Sequence, residues 1–586
     1  MDKDQNITRF DANGTMVSQE DANGNFLLYE MDETGLLKTV TTDKNQSLKM
    51  QYNDQNLLKE IELADGTKMQ YTYDTAGDLT DAAHVSADGT QSVQEPYAYD
   101  KEHHMTAITD AEGNDYGVTY EGEKAVRFTK PDGEYQQITY GDGTTMVSLH
   151  KSDGTKISED SMTYEKNSGK LLSSTNGNGV KTTYQYENTE NPLLQTGTET
   201  TVCYQTLENN QVNFKNDVKV TTTTAYDSNE NVVEEVDETG QVTSTTYGTG
   251  KESSLAQTEV IKNSEGETTS DTTYDYDDHG NMILEYEDIG DTRTEYAYDE
   301  DGEVKEEQSY ENVKSEGDAG VLTSEQTTQK EEADHKVSET LTSTQGEVTQ
   351  EDTTSYDAMG REVSSTDQNT GEVTTITYDF MGRAVKTERS LTDQEGKDTV
   401  QTETKSYKAN GAVTSETSSA GVTTEYRYDS RNRVIIAKED ADDATKTTET
   451  SYGYETAVIH TLTGTKTYKD LQVQTTKVNG TVTDKTWTDH AGNAVRTLSS
   501  GIYTDHAFTE DGKEIAAVTL GSSTDGEGKI SLTLYNKEGK TTHTISQPVV
   551  DGDSITTGKD TIINETAYDI NGNESAVTDG NGNVTT

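Results

Sequence analysis

Short alternations of apolar and polar residues, separated by turn-forming residues, run along the whole chain. In the clearest unit, Glu372 to Tyr378 is rich in Val, Thr, Ile and Tyr, the residue types that suit a half-buried pleated strand. An Asp-x-x-Gly group opens this unit at Asp357 to Gly360, and a second turn follows at 367–371. The aspartate can accept backbone N–H groups, and the glycine can adopt a positive φ. Each unit therefore predicts strand, turn, strand, turn, and no segment carries a sustained helical period.

This unit recurs at a fixed period. Tyr276 and Tyr298, and likewise Tyr356 and Tyr378, are 22 residues apart. A fixed period of this size indicates a repeat array, a class of protein that usually serves as a surface, spacer or container rather than as an enzyme. The residues that define the signature are Tyr73, Asp74 and Gly77; Tyr99 and Asp100; Tyr226 and Asp227; Tyr276, Asp277 and Gly280; Tyr298, Asp299 and Gly302; Tyr356, Asp357, Gly360 and Arg361; Tyr378, Asp379, Gly382 and Arg383; Tyr428 and Asp429; and Tyr568, Asp569 and Gly572.

Tyrosines often stand two residues apart, as at Tyr71 and Tyr73 or Tyr426 and Tyr428. Residues two apart on a strand face the same side, so successive repeats are predicted to stack their rings into ladders. The chain has 33 Tyr and only 6 Phe. A ring whose hydroxyl reaches water suits a thin wall better than a dry core.

Composition changes the picture in two ways. The apolar share is 29% and the net charge is −62 over 586 residues, a balance that alone is typical of disorder. The phased Tyr, Asp and Gly residues favour a folded array instead. The acidic surface also argues against nucleic acid or an anionic membrane as a partner, because both require clustered Lys and Arg. It is compatible with simple solubility or with a basic cargo.

Neither a targeting segment nor a disulfide framework is predicted. The chain has one cysteine, Cys203, and no stretch apolar enough to span a membrane. The first ten residues lack the basic start and apolar core of a signal peptide. The last residues, Asp579 to Thr586, stop in the middle of a repeat. We therefore expect the sequence to be a fragment of a larger protein.

No catalytic, cofactor-binding or metal-binding residue is predicted. Only His103 and His104 are adjacent histidines, and neighbours on a strand point to opposite faces, which is a poor metal geometry. Asp275 to Gly280 resembles the start of a calcium loop, but Tyr286 stands where the twelfth-position ligand is required. Turn formation explains those aspartates without a metal. Phosphate-loop, nucleophile-elbow and zinc-protease motifs are absent from the sequence.

The pattern Tyr-Asp-x-x-Gly-Arg/Asn, followed by Thr-Thr-x-Tyr-x-Tyr-Asp, resembles the RHS/YD-repeat proteins. The best copies are Tyr356 to Thr387, Tyr428 to Val434 and Tyr568 to Val584. This family includes bacterial polymorphic toxins, wall-associated proteins, shell components of insecticidal toxin complexes, and teneurins. The resemblance implies hairpins wound into a hollow β-spiral that encloses a C-terminal toxin or other cargo, or that serves as a scaffold for cell-surface contact.

One departure limits what the resemblance implies. Toxin-type members close the shell with an Asp-Pro-x-Gly-Leu-type self-cleavage motif. The four prolines of this chain, Pro96, Pro131, Pro192 and Pro548, all lack a preceding aspartate. Neither the self-cleavage nor a toxin activity is therefore carried over.

We expect an all-β fold, a single array of antiparallel hairpins over residues 1–586 wound into a β-spiral. Repeats are clearer in 1–190, 221–299, 356–433 and 487–586, and irregular or inserted in 191–220, 301–353 and 439–484. Segment 301–353 is either a flexible acidic insertion or a pair of long strands. The function is a non-enzymatic shell of a bacterial secreted or surface protein, enclosing or presenting a C-terminal effector absent from this chain. The alternative is a cell-surface adhesion or carbohydrate-binding module, whose partner would be a surface glycan or protein.

Overall fold

The computed structural model of the chain describes residues 6–568 and 573–586, apart from 178, 334–335, 346–347, 393–397, 442–443, 510, 525–527, 538 and 553. The described residues form 49 β-strands and one short 3-10 helix, Gly250–Glu252. The predicted all-β class is therefore confirmed.

The strands up to the middle of the chain are mostly five to nine residues long. They are β1 Ile7–Phe10, β2 Met16–Glu20, β3 Phe26–Met31, β4 Leu37–Thr42, β5 Ser47–Tyr52, β6 Leu58–Glu62, β7 Lys68–Tyr73, β8 Leu79–Val85, β9 Ser92–Tyr99, β10 Met105–Thr109, β11 Asp115–Glu121, β12 Lys124–Thr129, β13 Tyr135–Tyr140, β14 Thr144–His150, β15 Lys156–Tyr164, β16 Leu171–Thr175, β17 Lys181–Gln185, β18 Gly197–Glu208, β19 Gln211–Tyr226, β20 Val232–Val236, β21 Val242–Tyr247, β22 Ala256–Lys262, β23 Thr268–Tyr276, β24 Met282–Glu287 and β25 Thr292–Tyr298.

The second half continues in the same manner, with more long strands. Its strands are β26 Val304–Glu311, β27 Val321–Ala333, β28 Lys336–Gln345, β29 Val348–Tyr356, β30 Glu362–Asp367, β31 Glu372–Tyr378, β32 Ala384–Thr392, β33 Asp398–Tyr407, β34 Val413–Thr417, β35 Thr423–Tyr428, β36 Val434–Ala441, β37 Ala444–Thr461, β38 Gly464–Val478, β39 Thr481–Thr488, β40 Ala494–Ser499, β41 Ile502–Phe508, β42 Glu514–Gly521, β43 Lys529–Tyr535, β44 Thr541–Ser546, β45 Val549–Asp551, β46 Ser554–Thr556, β47 Ile562–Tyr568, β48 Glu574–Thr578 and β49 Val584–Thr585.

The sheet is a continuous antiparallel meander. Each strand pairs with the next along the chain, as β30 does with β31 and β31 with β32. The exception is the small hairpin β45–β46: β44 pairs directly with β47, and β46 pairs with β19 through Gln211 and Thr556. A meander of neighbouring strands is the arrangement that a strand-turn repeat dictates, because every unit supplies its own hairpin.

A β-bulge accompanies the signature tyrosines. The register shifts between Ala297 and Tyr298, between Thr377 and Tyr378, and between Arg427 and Tyr428, in each case where the tyrosine strand meets the strand after it. A bulge bends its strand and increases the local twist. Repeating it once per unit bends the whole sheet in a regular way.

The meander winds back against itself. Side chains of the first 160 residues touch residues that follow them by about 260 to 320 positions, as when Asn281 Nδ2 donates to Asn23 Oδ1 at 2.8 Å and Tyr454 Oη donates to Glu134 at 2.8 Å. Because the separation is about half the length of the chain, the first half of the chain forms one coil and the second half forms a coil beside it. The predicted β-spiral is confirmed, and the chain makes about two coils.

The wall of this spiral is thin. The accessible surface is 33069 Å², whereas a compact monomer of 64.2 kDa exposes only about 20,000 Å² by the usual size scaling. Most strand residues are accordingly half-buried rather than buried. Both faces of the single sheet therefore meet water over much of the chain.

The signature tyrosines share one face of this wall. Thr354, Ser365 and Thr374 lie directly opposite one another across β29, β30 and β31, and directly opposed residues point to the same side. Tyr356 is two residues from Thr354, and Tyr378 is four residues from Thr374. Both tyrosines therefore project from the face that carries this row.

The segments predicted to be irregular contain long strands. Residues 191–220 and 439–484 include the two long hairpins β18–β19 and β37–β38, with strands of 12 to 18 residues. In 301–353, strands β27, β28 and β29 pair in sequence, so long strands, rather than a flexible insertion, occupy the described part of this segment. The Tyr-Asp signal disappears in these segments because a longer hairpin places fewer turns in the same length of chain.

The tips of the two long hairpins build the most buried part of the molecule. Val212 near the tip of β18–β19 packs with Leu532 and Ile545 of β43 and β44, and Leu462 beyond the end of β37 packs against the same cluster. Ile459 of β37 packs in a second cluster with Trp487. The apolar core therefore lies where these hairpins cover strands β40 to β47.

Candidate functional site

The aspartate of each repeat organises its own turn. Asp357 Oδ1 accepts the backbone N–H groups of Met359 and Arg361 at 2.9 and 3.0 Å, and Gly360 takes φ 73°. The same pair of bonds, from the second and fourth residues after the aspartate, is made at Asp74, Asp100, Asp227, Asp277, Asp299, Asp379 and Asp429. The carboxylate thus satisfies donors that a tight turn would otherwise leave unpaired.

The tyrosine of most repeats ties one hairpin to the previous one. Tyr378 Oη donates to the backbone carbonyl of Glu362 at 2.7 Å, two residues beyond Gly360 of the preceding turn. Equivalent bonds to backbone carbonyls are made by Tyr73, Tyr226, Tyr276, Tyr298, Tyr428 and Tyr568. Tyr52, Tyr186 and Tyr407, where the aspartate is missing, make the same bond.

This tyrosine bond was not predicted from the sequence, where the hydroxyl was expected to reach water. A signal for it does exist in the spacing, because Tyr52, Tyr73 and Tyr428 each bond a carbonyl 15 residues earlier. At Tyr356 the hydroxyl has a side-chain partner, Glu339, and burial together with the charge of Glu339 and the hydrogen bond to it raises the pKa of the hydroxyl. Asp569 and Gly572 of the predicted signature lie outside the described residues.

Three arginines extend the turn. Arg361, Arg383 and Arg433 each donate from Nε to the Oδ2 atom of the aspartate four residues earlier at 2.8 Å. Each guanidinium also lies over the ring of a tyrosine in the following strand or hairpin, with distances to the ring centroid of 5.1, 4.9 and 4.0 Å. Arginine at this position therefore joins turn, ion pair and ring into one unit.

The ring contacts differ from the predicted ladders. In the described part of the chain three signature rings lie against cations, Tyr378 on Arg361, Tyr428 on Lys408 and Tyr568 on Lys540, and no ring pair links two signature tyrosines. Consecutive signature tyrosines belong to different hairpins, and between Tyr356 and Tyr378 the guanidinium of Arg361 covers the second ring.

Side chains of the turns also form the boundary between the two coils, which we call the seam. Its ion pairs join first-coil residues 44–151 to second-coil residues 301–470. They are Lys44 with Asp301 at 2.6 Å, Lys408 with Glu112 at 3.1 Å, Arg431 with Asp132 at 3.1 Å and with Glu134 at 3.3 Å, Arg361 with Asp65 at 3.4 Å, and Lys151 with Asp470.

The most buried seam group is Glu134, whose side chain is 6% exposed. Burial raises the pKa of this carboxyl. Hydrogen bonds from Lys130 and Tyr454 and the charge of Arg431 lower the pKa by more than burial raises it, so the net shift is downward. Burial and the bond to Glu134 raise the pKa of the Tyr454 hydroxyl. Glu134 is therefore ionised at neutral pH and fully surrounded by donors.

Neither of the metal candidates weighed in the sequence has the geometry of a site. Asp277 Oδ1 accepts two backbone N–H groups and its Oδ2 accepts Asn281 Nδ2. His103 Nδ1 lies 2.8 Å from Asp78, and His104 Nδ1 lies 3.1 Å from Asp100. Within the described ranges no group of three or more His, Cys, Asp or Glu side chains is arranged to hold a metal ion. A search of the same ranges for a helix long and apolar enough to cross a membrane finds none.

Comparison with known proteins agrees with the repeat pattern. The Teneurin YD-shell family matches residues 12–151, and the RHS Repeat family matches residues 407–445. No curated protein matches the chain. The predicted resemblance to RHS/YD repeats is therefore confirmed in both halves of the chain.

Three solved structures are similar to this chain at 11% sequence identity. They are a crystal structure of TcdB2-TccC3-TEV (TM-score 0.49, covering 98% of this chain and 32% of that chain), a crystal structure of TcdB2-TccC3 (0.45, 99% and 41%), and a Tc holotoxin pore of Photorhabdus luminescens with a substituted TccC3 (0.42, 98% and 32%). This chain spans 32 to 41% of their lengths. Likenesses this distant carry no functional argument.

Proposed function

We propose that this chain, an array of RHS/YD repeats, is a non-catalytic wall segment of a larger bacterial secreted or surface protein. The wall encloses or presents an effector that another part of that protein carries. The observation that supports this role is the winding of one continuous thin sheet into two coils held side by side. A single sheet with both faces in water separates two compartments, whereas a compact fold would bury one face.

The signature residues support a structural role. Their carboxylates and hydroxyls bond the backbone of their own wall, as Asp357 does with Arg361 N and Tyr378 does with Glu362 O. Groups used in this way hold the backbone of the wall, which supports a structural role for the signature. Any turnover is then expected in the effector rather than in the wall.

Electron microscopy of the purified chain tests the wall. We expect a curved, hollow particle about two coils deep; a straight rod or a solid globule would contradict the proposal. Enclosure is tested by attaching an unfolded polypeptide to the C-terminus and following its digestion by a protease. The tail should be cut more slowly than the same tail on an unrelated soluble protein, and an equal rate would contradict enclosure.

Adhesion to a surface glycan or protein is the alternative function. Carbohydrate recognition uses exposed aromatic faces, but the rings of Arg-bearing repeats such as Tyr378 and Tyr407 are covered by guanidinium groups. Binding of the pure chain to a glycan array would favour this alternative, and an absence of any binder would disfavour it.

A further inference from the structure

The two coils are joined differently from the strands within each coil. Inside a coil, apart from the small hairpin β45–β46, each strand pairs with the next through a ladder of backbone hydrogen bonds. Between the coils, backbone pairing among the described residues is confined to one place, where Gln211 of β19 faces Thr556 of β46 and Thr557 N donates to Asn210 O. Along the rest of the seam, from residue 23 to residue 151 of the first coil, the contacts are made by side chains.

Those side-chain contacts are mainly electrostatic. Five cationic side chains form the seam ion pairs: Lys44, Lys151, Arg361, Lys408 and Arg431. The chain has 47 basic residues against 109 acidic ones, so cations are the scarcer partner for such pairs. Two strongly acidic coils repel each other, and these cations are placed where the coils approach.

Most of the seam pairs are also accessible enough to break, the exception being the pair of Arg431 with Glu134, whose side chain is 6% exposed. The side chains of Lys408 and Glu112 are 28% and 24% exposed, and those of Lys44 and Asp301 are 39% and 32% exposed. Ion pairs with this exposure are individually weak. Breaking them leaves the charges free to meet water, whereas breaking a strand ladder would leave buried backbone groups unpaired.

We propose that the seam is an electrostatic latch, which lets the second coil separate from the first along residues 23–151 while every strand ladder stays intact. The β19–β46 pairing keeps the coils attached at the other end. The opening is a motion of the wall itself, and it does not depend on whether the wall encloses an effector.

Charge reversal of seam cations tests the latch. The seam variant carries Lys44→Glu, Lys408→Glu and Arg431→Glu. Its matched control carries Lys49→Glu, Lys156→Glu and Lys386→Glu, which break ion pairs inside one coil, with Glu62, Glu159 and Glu388. Both variants lose the same number of positive charges and gain the same number of negative charges.

Small-angle X-ray scattering and far-UV circular dichroism are measured on both full-length variants. We expect the seam variant to have a larger radius of gyration than the control, with an unchanged strand spectrum. Equal radii would overturn the latch. Loss of strand signal in the seam variant alone would also overturn it, because the coils would then not be separable without unfolding.

A charge swap supplies the second measurement. Adding Glu112→Lys to the seam variant should bring its radius of gyration back towards the native value, because the pair at 3.1 Å is restored with opposite polarity. A radius that this addition leaves unchanged would show that the side chains matter for some reason other than their pairing, and would count against the latch.

Discussion

At the scale of single residues, the repeat is a set of side chains that bond the backbone. Asp379 Oδ1 accepts the N–H groups of Met381 and Arg383, and Tyr407 Oη donates to the carbonyl of Ala384. One residue closes the turn and the other ties neighbouring hairpins together. Their recurrence follows from the backbone geometry that every hairpin has to repeat.

The tyrosine hydroxyl is expected to contribute to stability. Tyr378→Phe removes the 2.7 Å bond to Glu362 O and should lower the free energy of unfolding by about 1 kcal/mol. Tyr71→Phe is the control, because none of the hydrogen bonds found among the described residues involves that hydroxyl. Urea titration followed by circular dichroism measures both. Equal effects of the two substitutions would contradict a role for the hydroxyl bond.

The lowered pKa values of aspartates in the turns predict that the protein loses stability in acid. A hydrogen bond from Ser86 and bonds from Thr90 lower the pKa of Asp88 to about 2 from the ordinary value of 3.8. Backbone hydrogen bonds likewise lower the pKa of Asp74 and Asp100. A carboxyl with a lowered folded-state pKa stabilises the fold above its unfolded pKa, and this contribution is lost as the pH falls through the folded value.

We therefore expect the urea midpoint to fall as the pH is lowered from about 4 towards 2, the interval between the ordinary and the shifted pKa of Asp88. Asp88→Asn keeps an oxygen acceptor in the turn but does not titrate there. Its urea midpoint should depend less on pH than that of the native chain, and an identical pH profile would exclude Asp88 from the effect.

At the scale of elements, the turns serve both their own hairpin and the neighbouring coil. Gly302 closes the turn that begins at Asp299, with φ 80°, and a Cβ atom there would lie 2.1 Å from Asn23 Nδ2 of the other coil. Gly360 has the same role in its own turn, with φ 73°, but open space surrounds the position of its Cβ. A comparison of the two glycines therefore distinguishes the cost of the turn conformation from the cost of the contact between coils.

Gly302→Ala should destabilise the chain more than Gly360→Ala. Both substitutions place a side chain in the left-handed region, at a cost of about 1–2 kcal/mol, and only the first forces a contact with Asn23. Thermal unfolding of the two variants measures the difference. Equal melting temperatures would show that the Asn23 side chain can move aside without cost.

The long hairpins concentrate the apolar core in one part of the sheet. Leu532 is 1% exposed between the tip of β18–β19 and the neighbouring strands, whereas Leu172 of β16 is 40% exposed. Leu532→Ala should cost about 2–5 kcal/mol, the range for a buried leucine, and Leu172→Ala far less. Urea titration measures both, and similar losses would show that the hairpin tips do not form a packed core.

At the scale of the whole molecule, the wall contains little core and depends on connectivity. The accessible surface of 33069 Å² belongs to a sheet whose coils meet through side chains, while its strands meet through backbone ladders. Such a molecule has strong contacts along the chain and weaker contacts between coils. This difference is the physical basis of the proposed latch.

Local features of this fold could be predicted from the sequence. Strand alternation such as that of Glu372 to Tyr378, the Asp-x-x-Gly turns and the 22-residue period depend on neighbouring residues, so they are readable from one unit. They determined the all-β class, the antiparallel meander and the family resemblance. The aspartate bonds to the turn also follow from local spacing, because donor and acceptor are two and four residues apart.

Only the tertiary structure decided which distant residues meet. Arg361 reaches Asp65, and Val212 packs beside Leu532, across hundreds of residues with no local signal. These partners depend on the bend that each bulge adds, and the small bends accumulate over some twenty strands before the coils touch. The sequence by itself thus determined the repeating hairpin and its turn chemistry, whereas the seam and the hairpin core were decided by how those hairpins wind.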